Sequence, residues 1–317
     1  MLRITFLGTS SSVPTRKRNH PAIVMEYYSK RNDILLFDCG EGTQLQLMKA
    51  GISFMQITKI FITHWHADHF AGLLPMLATM NMEKRKKPLK IFAPFAEKHL
   101  YHMKALYHYK PLFEINAIDV EIEDEPVKIF ENNEYEIDAI KVRHTVPSVA
   151  YAFKEKDHWS IDVSILKKMG LRRGKWLEIL KQRGEYEING RKIRIEDVAT
   201  LKRGLKVVYT GDTEKTENVV KLAKDADILI HDSTYVHEDK EPARSHSSAR
   251  EAAEIAKEAN VKLLVLTHLS RRYQTKEDIE KLLKDAKQVF ENVIVAEDFM
   301  QITIKTGEEP KITKLKI

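Results

Sequence analysis

Four side chains able to ligate a metal stand within six positions at His64-Trp65-His66-Ala67-Asp68-His69, directly behind the run Lys59-Ile60-Phe61-Ile62-Thr63. Imidazole and carboxylate at this density suit Zn2+ or a similar divalent ion. The preceding run, rich in β-branched and aromatic residues, reads as a strand. A strand end followed by a helix start can present His64 and His66 to one ion, and Asp68 and His69, slightly further on, can reach a second. A lone histidine at a strand end is an ordinary structural residue; a cluster of this kind is not.

Three other segments end the same way. Val207-Val208-Tyr209-Thr210-Gly211 runs into Asp212, Leu263-Leu264-Val265-Leu266-Thr267 into His268, and Ala139–Arg143 into His144. Polar ligands at the mouths of hydrophobic strands are how a packed α/β scaffold assembles a site. Further strands are predicted at Leu2–Leu7, Ala22–Tyr27, Ile34–Asp38, Leu89–Phe92, Ile115–Glu121, Val127–Phe130, Tyr135–Val142, Val149–Phe153, Ile228–His231 and Val293–Ala296. Helical spacing predicts helices at about Ala67–Met82, Phe95–Tyr109, Ser247–Ala259 and Thr275–Phe290. Both halves mix strands with helices. That pattern implies an α/β fold, two sheets face to face with helices outside, as one domain over residues 1–317.

One segment stands apart. Lys154 to Lys206 holds 15 basic and 8 acidic residues, leaving 37 and 38 for the rest, so the whole formal charge of +6 resides there. Short helices are expected at Ser160–Met169 and Lys175–Gln182, split by Gly170, Gly174 and Gly184. Its apolar content reads as too thin for a core, so it is expected to be an arm inserted at about 154–204. A concentrated basic patch is the footprint of a polyanion partner, against the alternative of a merely solvated surface.

The single cysteine, Cys39, excludes a disulfide framework and reads as a small buried hydrophobe in a reducing compartment. No apolar run is long enough to cross a bilayer, and Met1 leads directly into a strand. A cytoplasmic protein with no membrane partner is expected.

The spacing H-x-H-x-D-H at 64–69, followed by His144, Asp212, His268 and the early Asp38-Cys39-Gly40 turn, resembles the metallo-β-lactamase superfamily. The resemblance implies an αβ/βα sandwich with its site at one edge. It further implies that His64, His66 and His144 hold one metal, that Asp68, His69 and His268 hold another, and that Asp212 bridges them. Within that superfamily the chain is similar to the tRNase Z family. Phe6-Leu7-Gly8-Thr9-Ser10, Pro14-Thr15-Arg16-Lys17-Arg18-Asn19, Phe37-Asp38-Cys39-Gly40-Glu41-Gly42-Thr43-Gln44, His231-Asp232-Ser233-Thr234 and Ser245-His246-Ser247-Ser248-Ala249 carry the likeness. There are two departures. Asp232 stands where the family has Glu, and Gly174-Lys175-Trp176 lacks the proline of the family's arm motif.

What the likeness implies is a zinc-dependent endoribonuclease, with two Zn2+ or other divalent ions per subunit, that removes 3′ trailers from precursor tRNA. Two ions can lower the pKa of a bridging water to about 7 and neutralise phosphoryl charge, so that the resulting hydroxide attacks phosphorus. Asp68 would accept a proton. His246, oriented by Asp232, would donate one to the departing 3′-oxygen, leaving a 3′-hydroxyl on the tRNA and a 5′-phosphate on the trailer. A helix-capping role for His246 is the alternative. Lys167, Lys168, Arg172, Arg173 and Lys175 are expected to hold tRNA phosphates. Arg16, Lys17, Arg18 and Asn19 are expected to sense the RNA 3′ end, against the alternative of a solvated basic turn. The family resemblance also implies a homodimer. Two rivals remain: another hydrolase of the superfamily, acting on cyclic nucleotides or thioesters, and a non-catalytic RNA-binding subunit. A basic arm argues against the first, and a full ligand set against the second.

Overall fold

The computed structural model describes residues 1–29, 32–106, 111–188, 190–239 and 245–317. Two sheets face each other across a shared core. The first has eight strands in the order Lys311–Lys314, Met300–Ile304, Leu2–Gly8, Ala22–Tyr27, Asp33–Phe37, Ile57–Phe61, Leu89–Ala93, Ile115–Asp119. The second has seven, in the order Val293–Val295, Leu263–Thr267, Ile228–Asp232, Lys206–Tyr209, Ser148–Glu155, Tyr135–Val142, Val127–Glu131.

Period-two alternation builds the layers. Leu2, Ile4 and Phe6 point into the inter-sheet core with Val207, Tyr209, Ile228, Ile230 and Val265. Their neighbours Val208, Leu229, Leu264 and Leu266 point outward under the helices Glu217–Ala223, Ala249–Glu258 and Lys276–Lys287. On the first sheet the outer face is covered by Thr43–Lys49, Leu73–Met82 and Ala96–Ala105. Phe37, Phe61 and Phe92 stack across the middle, with centroids 4.9 and 4.8 Å apart. This is the α/β sandwich expected from the sequence, and Cys39 is fully buried in it.

Strand direction decides where chemistry can sit. Asp33–Phe37, Ile57–Phe61, Leu89–Ala93 and Ile115–Asp119 run parallel, as do Lys206–Tyr209, Ile228–Asp232, Leu263–Thr267 and Val293–Val295. Their carboxyl ends open on one edge, where ligands collect in such sheets. Ser148–Glu155 is antiparallel to Lys206–Tyr209, with Tyr151 opposite Tyr209, so the turn holding His144 lies at that edge too. Val149 N–H donates to Thr63 O at 3.1 Å and Tyr151 Oη to Ile62 O at 2.8 Å, locking the sheets together there.

The sequence pattern misses several details. The helix expected over Ala67–Met82 is two, Ala67–Phe70 and Leu73–Met82. A Cβ on Gly72 would lie 2.1 Å from Gly40 O, so the chain breaks there to let the two backbones touch. Cys39 N–H donates to His69 O at 2.7 Å and Gly72 N–H to Cys39 O at 2.9 Å across that contact. The helix expected from Phe95 spans Ala96–Ala105; its expected end at Tyr109 lies outside the described residues. Met300–Ile304 and Lys311–Lys314, not anticipated as strands, return the C-terminal segment to the first sheet, with Ile302 opposite Ile4.

The basic segment is more ordered than expected. His158–Ile161 pairs with Ala199–Lys202, and Glu185–Ile188 with Arg191–Arg194. Helices Val163–Lys168, Trp176–Arg183 and Ile195–Val198 complete it. Ser160 therefore lies in a strand, and Asp162 caps the helix that follows by accepting from Ser164 N–H at 2.8 Å. The expectation of a coreless arm fails: Leu166, Trp176, Leu180, Ile193, Ile195, Val198 and Ala199 form their own buried cluster. Among the described residues no helix is long and apolar enough to cross a membrane.

Candidate metal centre

At the open edge the seven side chains expected as ligands converge. His64, His66, His144 and Asp212 form one group, and Asp68, His69, Asp212 and His268 a second, each with its ligand atoms within 4.8 Å of one another. In the first, His66 Nδ1 lies 3.1 Å from both His64 Nε2 and His144 Nε2. Asp212 Oδ2 is 3.7 and 3.8 Å from the same two nitrogens. In the second, Asp212 Oδ1 is 3.1 Å from His69 Nε2 and 3.2 Å from His268 Nε2, while Asp68 Oδ2 is 3.6 and 3.5 Å from them.

These spacings fit a bound ion. Four ligands about 2.0–2.1 Å from a tetrahedral centre stand roughly 3.3–3.4 Å apart. Moreover Asp68 Oδ2, His69 Nε2, Asp212 Oδ1 and His268 Nε2 are buried and make no hydrogen bond. Buried polar atoms left unpaired are costly, and four aimed at one point indicate a missing common partner. Burial raises the Asp212 carboxyl pKa, yet His268 and His69 hold it well below the usual range. Burial pushes His268 down, and Asp212 carries it up to about 10. The buried carboxylates of this cluster thus favour positive charge at its centre. The residues fit divalent metal ions.

Each imidazole is aimed by its second nitrogen, as metal-binding histidines require. His69 Nδ1–H donates to Asp38 Oδ2 at 2.7 Å, and His144 Nδ1–H to Ser245 O at 2.8 Å. Two parallel relays orient the others. His64 Nδ1 meets Thr63 Oγ1 at 3.0 Å, and that hydroxyl donates to Asp38. His268 Nδ1 meets Thr234 Oγ1 at 3.1 Å, and that hydroxyl donates to Asp232 Oδ1 at 2.7 Å. Nε2 is left to the metal in all four. His66 presents Nδ1 instead, with Nε2 3.4 Å from Thr145 Oγ1.

Asp232 serves His246 as well. Its Oδ2 lies 2.8 Å from His246 Nδ1, and Thr213 N–H reaches the same oxygen at 3.1 Å. The shorter Asp side chain therefore spans the gap despite its missing methylene. Burial lowers the His246 pKa, but Asp232 outweighs it and raises it. The capping alternative for His246 fails, because Ser248 caps the helix Ala249–Glu258 in a reciprocal box with Glu251. His246, Asp68, His66 and His144 line a cavity of ≈ 670 Å³, which Ser11–Val13 and Arg271 also line.

The sequence motifs include Asp38 but give its carboxylate no role, and Arg271, which lines the cavity, belongs to none of them. The signal for Asp38 was its place before Cys39-Gly40 at a strand end; Arg271 had none. Lys167, Lys168, Arg172, Arg173 and Lys175 are all exposed on the arm. Trp176 Nε1 donates to Arg172 O at 3.0 Å, closing the turn that lacks proline. In the Arg16–Asn19 loop, Arg16 and Lys17 are exposed, while Arg18 and Asn19 are bonded within the protein.

A family model described as Anti-Pycsar protein Apyc1 matches residues 2–173, and one described as a beta-lactamase superfamily domain matches 193–269. The gap between them falls inside the basic arm. Ribonuclease Z of Methanosarcina acetivorans is 40% identical over 311 residues, covering 96% of this chain and 98% of its own. That of Thermococcus sibiricus is 38% identical over 319 residues, covering 100% of both. The chain belongs to the ribonuclease Z family. A solved structure of human tRNase Z, short form, matches with TM-score 0.67 at 29% identity, over 96% of this chain and 99% of that one. The ribonuclease Z likeness thus runs through the arm, and the fold is that of the metallo-β-lactamases.

Proposed function

We propose that this chain is the endoribonuclease that removes the 3′ trailer from precursor tRNA, using two zinc ions per subunit, and that it acts in the cytoplasm as a homodimer. The observation that carries the reading is the pair of ligand sets sharing Asp212, with four buried atoms unpaired, in a member of the ribonuclease Z family.

His64, His66 and His144 would hold one ion and Asp68, His69 and His268 the other, with Asp212 between. Bound there, divalent ions supply Lewis-acid stabilisation of the phosphoryl oxygens and acidify the attacking water. The chain's own groups do the rest. Asp68, which lines the cavity, accepts the proton that the attacking water gives up. His246, kept protonated by the buried Asp232 carboxylate, donates to the leaving ribose 3′-oxygen. The products are a tRNA 3′-hydroxyl and a trailer 5′-phosphate. Lys167, Lys168, Arg172, Arg173 and Lys175 fix the register of the tRNA through its phosphates, which carry no sequence information.

The test is to map the cleavage products of one precursor tRNA, with and without a chelator, beside rates on cyclic nucleotides. Release of the 3′ trailer, abolished by chelator and restored by Zn2+, is expected. Undiminished cleavage after exhaustive metal stripping would end the two-metal reading. Faster turnover of cyclic nucleotides would reassign the substrate.

A further inference from the structure

The loop Ser10–Asn19 is tied at every point but its tip. Ser10 N–H donates to Asn19 O at 3.0 Å, closing it, and Thr15 N–H donates to Arg18 O at 2.8 Å. Thr15 Oγ1 accepts from Lys17 and Arg18 N–H at 3.2 and 3.0 Å. Beneath the loop lies Asp298, buried. Its Oδ1 accepts from Thr9 Oγ1 at 2.7 Å, and its Oδ2 from Asn19 N–H at 2.7 Å and Gln46 Nε2 at 3.2 Å. Arg18 Nη1 reaches Thr9 Oγ1 and Ala296 O, both at 2.6 Å. Asn19 Nδ2 donates to Glu41 O at 2.8 Å.

The loop's root also touches the metal centre. Ser11 N–H donates to Leu269 O at 2.9 Å and Leu269 N–H to Thr9 O at 3.0 Å, one residue after the ligand His268. From that root the chain passes straight into Ser11–Val13, a wall of the catalytic cavity.

We infer that Asp298 is a positioning residue, which through Thr9, Arg18 and Asn19 fixes the Ser11–Val13 wall relative to the metal centre. Arg18 and Asn19 therefore hold the loop and do not bind RNA; among the loop's basic residues, Arg16 and Lys17 meet the polyanion. Both Nη1 donors of the half-buried Arg18 are engaged by Thr9 and Ala296, which pins its guanidinium to the base of the loop, whereas Arg16 and Lys17 at the tip are exposed. The wall orients the nucleotide at the scissile bond, where small misplacement is costly in turnover. This inference rests on the ribonuclease reading above.

Two measurements on the full-length metal-loaded enzyme test it. The first needs no substrate: hydrogen exchange at the Ser10, Ser11 and Asn19 amides. Asp298→Asn and the gentler Thr9→Val are expected to speed exchange there. Unchanged exchange in both variants overturns the clamp, whatever the enzyme cleaves. The second is kinetics on precursor tRNA. Asp298→Asn is expected to lower kcat by about 10- to 100-fold with KM and its salt dependence unchanged. Arg16→Ala or Lys17→Ala is expected to raise KM and reduce the logarithmic salt slope by about 0.7–0.9 for each phosphate no longer neutralised. If Arg18→Lys raises KM and reduces that slope as the tip variants do, Arg18 is an RNA ligand and the inference falls. Absence of precursor cleavage by wild type would defeat the function assignment, while the exchange result still judges the clamp.

Discussion

His69 stands with Nδ1 2.7 Å from Asp38 Oδ2 and Nε2 3.1 Å from Asp212 Oδ1, so one imidazole links the buried Asp38 carboxylate to Asp212, the residue common to both candidate ligand groups. Asp38 also accepts from Thr63 N–H at 2.8 Å and Tyr209 Oη at 2.7 Å. Its φ is +56°, a conformation that Asn tolerates nearly as well. Asp38→Asn therefore isolates charge and acceptor number from backbone effects. Metal affinity should fall by about 10- to 100-fold, read by competition with a chromogenic chelator. Unchanged affinity would remove Asp38 from the centre.

His246→Ala should lower single-turnover cleavage of precursor tRNA by about 10²- to 10⁴-fold with metal content intact. The leaving group decides the assignment. p-Nitrophenolate departs without a proton, so the same variant should lose less than about tenfold on bis(p-nitrophenyl) phosphate. Equal losses on the two substrates would contradict a proton-donor role.

The arm can be removed cleanly only along its own boundary. Lys154 pairs with Lys206, and Gly204 N–H donates to Asp157 Oδ1 at 2.8 Å, so joining Asp157 to Gly204 leaves a tight hairpin. A cut inside the arm would instead expose Ile193, Ile195 and Val198 from its core. With residues 158–203 excised, KM for precursor tRNA should rise by about 100-fold or more, while hydrolysis of a small diester persists. Parallel loss of both would show that the arm supports the fold and not the substrate.

Asp298 gives a pH signature of stability. Burial raises its carboxyl pKa to about 6, against the hydrogen bonds from Asn19 and Thr9 and the charge of Arg18. The folded state therefore holds this proton more tightly than the unfolded chain does. The resulting stabilisation is complete below the unfolded pKa near 4 and is lost as pH rises through about 6. Relative to Asp298→Asn, which cannot titrate, the wild type should gain stability on going from pH 7.5 to pH 4.5, by at most about 3 kcal/mol. Urea unfolding of both proteins at the two pH values measures it. A relative loss would reverse the sign.

The candidate ligands His64, Asp212 and His268 were legible because each closes a short hydrophobic run that reads as a strand; they meet because the carboxyl ends of the parallel strands of both sheets open on one edge. What stayed hidden is non-local. The break at Gly72 follows from a backbone contact with Gly40, which no helical periodicity records. The arm's core draws Leu166 and Val198 together from opposite ends of a segment whose local windows are polar. The charge of Arg18 is visible in the sequence, whereas its hydrogen bond to Ala296 O, 278 positions away, is set by the fold. Motif position identified Asp232 and His246, but only the fold showed Asp232 serving two histidines.

The order of the ligands along the chain has a consequence for synthesis. On the assignment proposed here, each ion takes ligands from both sheets: His64 and His66 with His144, and Asp68 and His69 with His268. No fragment ending before residue 268 carries the complete second set. On that assignment the two-ion centre can assemble only after His268 has emerged and both sheets have come together.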